Sequence, residues 1–334
     1  MDAATLARAR AGADEAFRQL TAPHLAELHR HCYRMLGSLT DADDALQEVL
    51  VAAWQGLNGF EGRSSLRTWL YRIATNRCLN QIRSRQRRGR PMPVPPFEPP
   101  EPTRLGTVTW LQPYPDSELE GLVDRGPGPA ARYGAREAVE LAFMTALQTL
   151  PPRQIAALLL CDVLSFSTAE SAAMLDTTNT ALKGLLQRAR ASLDQRLATN
   201  TSDKLDRGSV EDQHLARRFA DAFTQDDVGA VIALLTDDAW LVMPPAPHEY
   251  RGHEAIAAFL RASQGWRTGL PLLMVPTRAN TQPAFGCYLA DGAGSAMTSL
   301  GMVVLTTSGD RIRGITRFLD EELPARFGLA AALG

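Results

Sequence analysis

The stretch Asp41-Ala-Asp-Asp44-Ala-Leu-Gln-Glu48, followed after a short loop by Arg63-Ser-Ser-Leu-Arg-Thr-Trp-Leu-Tyr-Arg-Ile-Ala-Thr-Asn-Arg77, sets an acidic helix directly before an arginine helix. In the first, Leu46, Val49, Leu50, Ala53 and Trp54 recur at i, i+3, i+4, i+7 and i+8, one buried stripe, and Thr40 is placed to cap the helix. Asp43, Asp44, Gln47 and Glu48 then point away from that core. Acids at such positions either support the helix dipole or offer a docking face to a basic partner. The arginine helix next door favours the second reading.

In that second helix Ser65 is the expected cap and Leu66, Trp69, Leu70 and Ile73 the buried side. Arg72, Asn76 and Arg83 share another face, with Arg67 and Tyr71 beside it. Arginine offers phosphate a bidentate fork, asparagine can read a base edge, and aromatic rings can stack on unpaired bases. The plainer alternative is a solvated arginine face with Trp69 and Tyr71 in the core. Between 63 and 90 there are nine arginines and no acid, a local polycation in a chain of net charge −2. Screening confines surface fields to about 8–10 Å, so the local run outweighs the sum.

A chain of 334 residues, 45% hydrophobic and 22% charged, is long enough for two or three cores and is not a disordered tail. Its four cysteines, Cys32, Cys78, Cys161 and Cys287, are too scattered for a zinc site or a disulfide framework, which fits a reducing, cytoplasmic setting. No apolar run reaches the roughly 20 residues of a membrane span, and no signal-peptide core opens the chain. No metal cluster, nucleotide-binding loop or nucleophilic triad is legible, so neither a cofactor nor a metal is expected.

Prolines dominate from Pro91 onward and return in Arg-Gly-Pro-Gly-Pro, which implies an extended spacer over 89–135. Within it, Trp110-Leu-Gln-Pro-Tyr-Pro-Asp116 carries aromatics that a free spacer does not need, so this segment is expected to dock. Helical periodicity resumes over 136–197. Ser167-Thr-Ala-Glu170 is a capping box, Asp176-Thr177 a turn, and Thr178 the cap of a second helix with Leu182, Leu185, Leu186, Ala189 and Leu193 inward. Asn179, Lys183, Gln187 and Arg190 face outward with Thr180 and Arg188 near them, as in a helix-turn-helix entering a major groove. Asp176 where glycine would ease the turn, and Gly184 inside the second helix, depart from that pattern.

These motifs, with Phe60-Glu-Gly-Arg before the arginine helix, Leu150-Pro-Pro-Arg-Gln, and Leu186-Gln-Arg-Ala-Arg190, resemble an extracytoplasmic-function sigma factor of bacterial RNA polymerase over the first two hundred residues. The resemblance implies that region two, residues 13–88, binds core polymerase through Asp43, Asp44, Gln47 and Glu48. It also implies that Phe60, Arg63, Arg67, Tyr71, Arg72, Asn76 and Arg83 open the minus-ten element and hold its single strand. Region four, residues 136–197, would place Asn179, Thr180, Lys183, Gln187, Arg188 and Arg190 on the minus-thirty-five element.

After a polar spacer over 198–210, residues 211–235 read as one amphipathic helix, followed by a further helix and a run of antiparallel strands, an α+β unit. Met243-Pro-Pro-Ala-Pro-His-Glu-Tyr-Arg-Gly252 with His253-Glu-Ala-Ile-Ala-Ala-Phe-Leu260 resembles the SnoaL-like cone domains, over 211–328. That resemblance implies a cavity drawn from Trp240, Met243, Tyr250, Phe259, Trp266, Tyr288 and Phe318, and an unidentified small ligand; simple packing is the alternative. His248, His253, Asp291 and Asp320 are the available acid–base groups, none with a visible catalytic partner. The expected architecture is thus multidomain: two all-α DNA- and polymerase-binding domains, then an α+β SnoaL-like cone. Two functions fit: a non-enzymatic promoter-specificity factor whose last domain modulates it in cis, or a SnoaL-type enzyme or ligand sensor carrying a DNA-targeting part.

Overall fold

The computed structural model describes residues 3–88, 95–106, 111–119, 132–133, 139–198, 210–292 and 296–333. The chain divides into two compact units, Met1–Arg90 with Leu122–Thr199, and Pro91–Gly121 with Asn200–Gly334. The expected layout is two helical domains joined by an extended proline-rich spacer, part of which docks. Instead both helical groups share one unit, and the described part of the spacer folds with the C-terminal domain.

The first unit begins with helices α1 (Ala3–Arg10), α2 (Asp14–Thr21), α3 (Leu25–Leu36), α4 (Leu39–Gly56) and α5 (Leu66–Arg88). Gly37 ends α3 at φ +74°, left-handed geometry that glycine adopts without a Cβ penalty. Ser38, rather than Thr40, caps α4: its Oγ accepts the Asp41 N–H at 3.2 Å, and Thr40 already lies inside the first turn. Leu28, Cys32, Met35, Val49, Ala53, Leu70, Ala74 and Cys78 are fully buried where α3, α4 and α5 meet. Leu46, Leu50 and Trp54 of the expected stripe are only half-buried. All four cysteines are buried free thiols.

Helices α6 (Leu141–Gln148), α7 (Pro152–Leu158), α8 (Thr168–Met174) and α9 (Asn179–Ala198) complete this unit, with a π turn over Leu159–Val163 after α7. Leu182, Leu186, Ala189 and Leu193 of α9 are buried as their spacing requires, while Leu185 is half-buried. The two helical groups meet through Gln148, whose Nε2 donates to Arg34 O at 2.9 Å, and through Phe166, whose ring lies 5.3 Å from that of Tyr71.

The second unit is a curved sheet with helices on one face. Its elements are β1 (Arg104–Leu105), α10 (Val210–Thr224), α11 (Val228–Ala233), β2 (Leu235–Val242), β3 (His248–Arg251), α12 (Gly252–Arg267), β4 (Leu272–Ala279), β5 (Gln282–Ala290), β6 (Met297–Ser308), β7 (Arg311–Phe318), α13 (Leu323–Arg326) and β8 (Ala332–Leu333). The order is β1-β3-β2-β7-β6-β5-β4 with β8 on β6; β2 and β7 run parallel and the other pairs antiparallel. The single helix expected over 211–235 is broken. Asp226 takes φ +58°, and Asp227 Oδ1 accepts the Ala230 N–H at 2.9 Å to start α11. Phe219, Tyr250 and Phe259 are buried with Leu241, Phe285, Val303, Leu305 and Ile315 between helices and sheet. Each such side chain contributes about 1.5–3 kcal/mol on leaving water.

The described spacer residues form a strap across this unit. At one sheet edge, β1 pairs with β3, Arg104 opposite Glu249 and Leu105 opposite His248, and Tyr250 Oη donates to Pro100 O at 2.9 Å. At the other edge, Tyr114 exchanges hydrogen bonds with Asn280, N to Oδ1 at 2.8 Å and Asn280 N to Tyr114 O at 2.9 Å. Asp116 bonds Arg278 Nε at 3.0 Å and the Thr281 N–H at 2.8 Å. Asn280 and Thr281 form the β4–β5 turn with φ +54° and +66°, a conformation costly for threonine, and the strap's carboxylate helps hold it. The expectation that this segment docks has its place here, although Trp110 lies outside the described residues.

Candidate nucleic-acid and protein interface

Of the four acidic-helix residues, Asp44, Gln47 and Glu48 are exposed. Asp43 is turned to His29, 3.0 Å from its Nε2, and Glu48 lies 3.9 Å from Arg77 Nη1, a surface pair of small energetic weight. Val51 is 56% exposed, one turn beyond Gln47 and Glu48 on the same face. Sequence periodicity passed over it, because one apolar residue outside a stripe has no pattern; its exposure in the fold is the signal.

Ser65 caps α5, its Oγ accepting the Thr68 N–H at 3.0 Å. Arg72, Asn76 and Arg83 are exposed, with Arg77 and Asn80 beside them, a continuous polar and cationic strip; Arg63 is exposed in the loop before the helix and pairs with Glu61 at 2.8 Å. The other proposed strand-holding residues are placed differently. Phe60 is 3% exposed, its ring 5.0 Å from that of Trp69 and its carbonyl taken by Arg10 Nη2. Tyr71 is fully buried, and burial raises its phenol well above the ordinary value. Arg67 is half-buried, bonded to Glu27 Oε2 at 3.2 Å and stacked on Tyr71 at 4.8 Å and Phe166 at 4.7 Å. In this conformation Phe60 and Tyr71 are packed in the unit's interior, and Arg67 is held by Glu27, Tyr71 and Phe166. Side chains of the arginines beyond Arg83 lie outside the described residues.

In the second helical group the capping box is present: Ser167 Oγ accepts the Glu170 N–H at 3.2 Å, and Glu170 Oε2 accepts the Ser167 N–H at 3.0 Å. Asp176 makes the turn at φ +50°, and Thr178 Oγ1 accepts the Ala181 N–H at 3.2 Å to open α9. Asn179, Thr180, Lys183, Gln187 and Arg188 are all exposed along α9. Arg190 is half-exposed and placed differently. Its guanidinium makes two bonds, 2.8 and 2.6 Å, to Asp162, a carboxylate 1% exposed on its side chain in the π turn. Breaking such a pair strands a buried charge at a cost of about 3–5 kcal/mol, so Arg190 holds α9 in place.

The cone residues divide by strand parity. Met243, Tyr250 and Phe259 enter the core and Trp266 packs on it, with Phe97 of the strap 5.4 Å from Phe259 and 6.2 Å from Trp266. Trp240, Tyr288 and Phe318 fall on the opposite face, since each alternates with a core residue along its strand. Trp240 lies over Gly314, where a Cβ would come within 2.3 Å of its ring, and Tyr288 Oη donates to Ala330 O at 2.6 Å. A single cavity lined by all seven is therefore not formed. His253 Nε2 is 3.0 Å from Thr236 O, and Asp320 accepts from Gln112 Nε2 and the Glu322 N–H, each at 3.0 Å. Among the described residues there is no cluster of three or more metal-ligating side chains, and no helix long and apolar enough to cross a membrane.

Residues 20–88 match Sigma-70 region 2, residues 140–193 match Sigma-70, region 4, and residues 216–271 match the SnoaL-like domain. Over 320 residues, 94% of this chain and 84% of its relative, the sequence is 40% identical to the ECF RNA polymerase sigma factor SigG of Mycobacterium tuberculosis. The chain belongs to the ECF RNA polymerase sigma factors. This sigma factor is also 31% identical over 192 residues to SigM of the same organism, 58% of this chain and 82% of that one. The crystal structure of the extracytoplasmic function sigma factor SigJ of M. tuberculosis shares its fold, at TM-score 0.56 and 20% identity, covering 95% of this chain and 99% of that one.

Proposed function

We propose that this sigma factor binds core RNA polymerase, directs it to promoters from the cytoplasm, and is modulated in cis by a C-terminal domain that acts without turnover. The docking of the spacer carries the reading of cis control. Residues 95–106 and 111–119 connect the two promoter-reading groups in sequence, yet they bond to both edges of the C-terminal sheet. A domain that holds the connection sets how far those groups can separate. Asp44, Gln47, Glu48 and Val51 form the polymerase-facing set in this reading. Arg63, Arg72, Asn76 and Arg83 meet the opened strand, and Asn179, Thr180, Lys183, Gln187 and Arg188 meet the upstream duplex.

Run-off transcription with purified core polymerase tests this. The full chain is expected to give a promoter-dependent product, and truncation near residue 205 to change its amount. No promoter-dependent product from either protein refutes the sigma reading, and equal activity of the two refutes the modulation.

A further inference from the structure

Residues 61–64 form an exposed loop that carries Arg63 into α5, and the loop is pinned at both ends. Its far end is Ser65, the cap of α5, whose Oγ accepts the Thr68 N–H at 3.0 Å. Its near end is Phe60, which follows the 3₁₀ turn Leu57–Gly59. The Phe60 ring lies 5.0 Å from that of Trp69, and Trp69 rests on Gly56, where a Cβ would stand 3.4 Å from its Cζ2. The side chain of Phe60 is thus fixed from within region two.

Its main chain is held from a helix fifty residues earlier. Arg10, the last residue of α1, donates from Nη2 to Phe60 O and from Nε to Leu57 O, the latter at 3.4 Å. The Phe60 N–H also donates to Leu57 O, at 3.2 Å, so one guanidinium spans the carbonyls at the two ends of the turn. A turn that stops leaves such carbonyls without partners of its own, and the planar fork of arginine can meet two of them at once. Because the peptide unit is planar, holding Phe60 O sets the plane of the next amide and so the direction in which the loop departs. α1 is itself anchored: Ala9 is 3% exposed, and Gly12, at φ +90°, donates its N–H to Ala9 O at 3.0 Å. This helix lies before residue 20, where the match to Sigma-70 region 2 begins.

We propose that Arg10 is a positioning residue for strand capture: it holds the 61–64 loop in the conformation in which Arg63 meets the opened strand, and does not itself touch nucleic acid. The proposal rests on Arg63 meeting that strand, as in the function proposed for the chain. A short loop pinned at both ends loses little further freedom when the strand arrives, whereas a loop released at one end has to be ordered by the strand itself.

Holoenzyme is reconstituted from the full chain and purified core polymerase on a promoter fragment, and permanganate reactivity of unpaired thymines reports opening. In Arg10→Met that reactivity should fall about fivefold or more, since the hydrogen bonds at the loop base are lost. Retention on immobilised polymerase and the upstream footprint should stay as in the wild type. Arg63→Ala should also reduce opening, and adding Arg10→Met to it should lower opening by less than about twofold more, because both act through one loop. The dependence of opening on salt should be unchanged in Arg10→Met, whereas loss of a direct phosphate contact would flatten its slope by about 0.7. Arg8→Met, an exposed position on the same helix, controls for net charge and should behave as the wild type. Near-wild-type opening by Arg10→Met, losses that multiply fully in the double variant, or a flattened salt slope overturns the proposal. Should Arg10→Met lose its native circular dichroism, Arg10→Lys decides, since it keeps the charge and lacks the fork: reduced opening supports the positioning role and wild-type opening overturns it. A wild-type chain that opens no promoter refutes the sigma reading and this role together, while normal wild-type opening that Arg10 does not affect strikes the positioning role alone.

Discussion

His31 sits fully buried on α3, its Nε2 2.9 Å from Thr75 Oγ1. The threonine hydroxyl donates to Tyr71 O at 2.8 Å, so the imidazole must carry its proton on Nε2 to complete the pair. Burial, then the nearby charges of Arg34 and Arg67, push this histidine from 6.5 down to about 3. A depressed histidine favours the neutral folded form, so its contribution to stability is complete above pH 6.5 and declines as pH falls from there towards 3. At pH 5 the loss is about 2 kcal/mol. Urea unfolding at pH 7 and pH 5 should show that loss in the wild type and a much smaller one in His31→Gln; an equal loss in both would exclude His31 as the titrating group. Arg190 teaches a related lesson. A basic residue on a recognition helix reads as a phosphate contact until the fold brings Asp162 beside it from another helix.

At the scale of elements, local chemistry was legible. The capping box at Ser167, the caps at Ser65 and Thr178, and the inward leucines of α9 follow from spacings of three and four residues, which hydrogen bonds inside one turn enforce. The misread elements have non-local or single-residue causes. The 211–235 periodicity continues across Asp226, and only the left-handed turn there divides α10 from α11. The α4 surface gains Val51, which completes a face with Asp44, Gln47 and Glu48 at i, i+3, i+4 and i+7. Replacing Val51 by serine should reduce retention of the protein on immobilised core polymerase, as Glu48→Ala should. Unfolding free energy should change by no more than about 0.5 kcal/mol, because the site is solvated. Unchanged retention in both variants would move the docking face elsewhere.

Across the molecule the strap is the deciding arrangement. Tyr114 is 1% exposed, and its main-chain N and O are bonded to Asn280 Oδ1 and N; those bonds survive in Tyr114→Ala, but loss of the buried ring should destabilise the C-terminal unit by about 3–5 kcal/mol. Limited proteolysis should then cut within 111–119 well before the wild type is cut there, and identical cleavage patterns would show that the anchor is dispensable. The sequence alone determined the sigma-type helices, their caps, the cationic strip and the α+β character of the last third. Each depends on periodicity or capping within a few residues, which the chain carries wherever it folds. Only the tertiary structure decided that Phe60 and Tyr71 are buried, that Arg67 and Arg190 pair with Glu27 and Asp162, that Trp240, Tyr288 and Phe318 leave the supposed cavity, and that a proline-rich spacer bonds to both edges of a sheet. Those outcomes rest on pairings such as Arg104 with Glu249 and Gln112 with Asp320, made between surfaces more than a hundred residues apart. No local pattern of hydrophobicity or charge encodes which distant surface will be complementary.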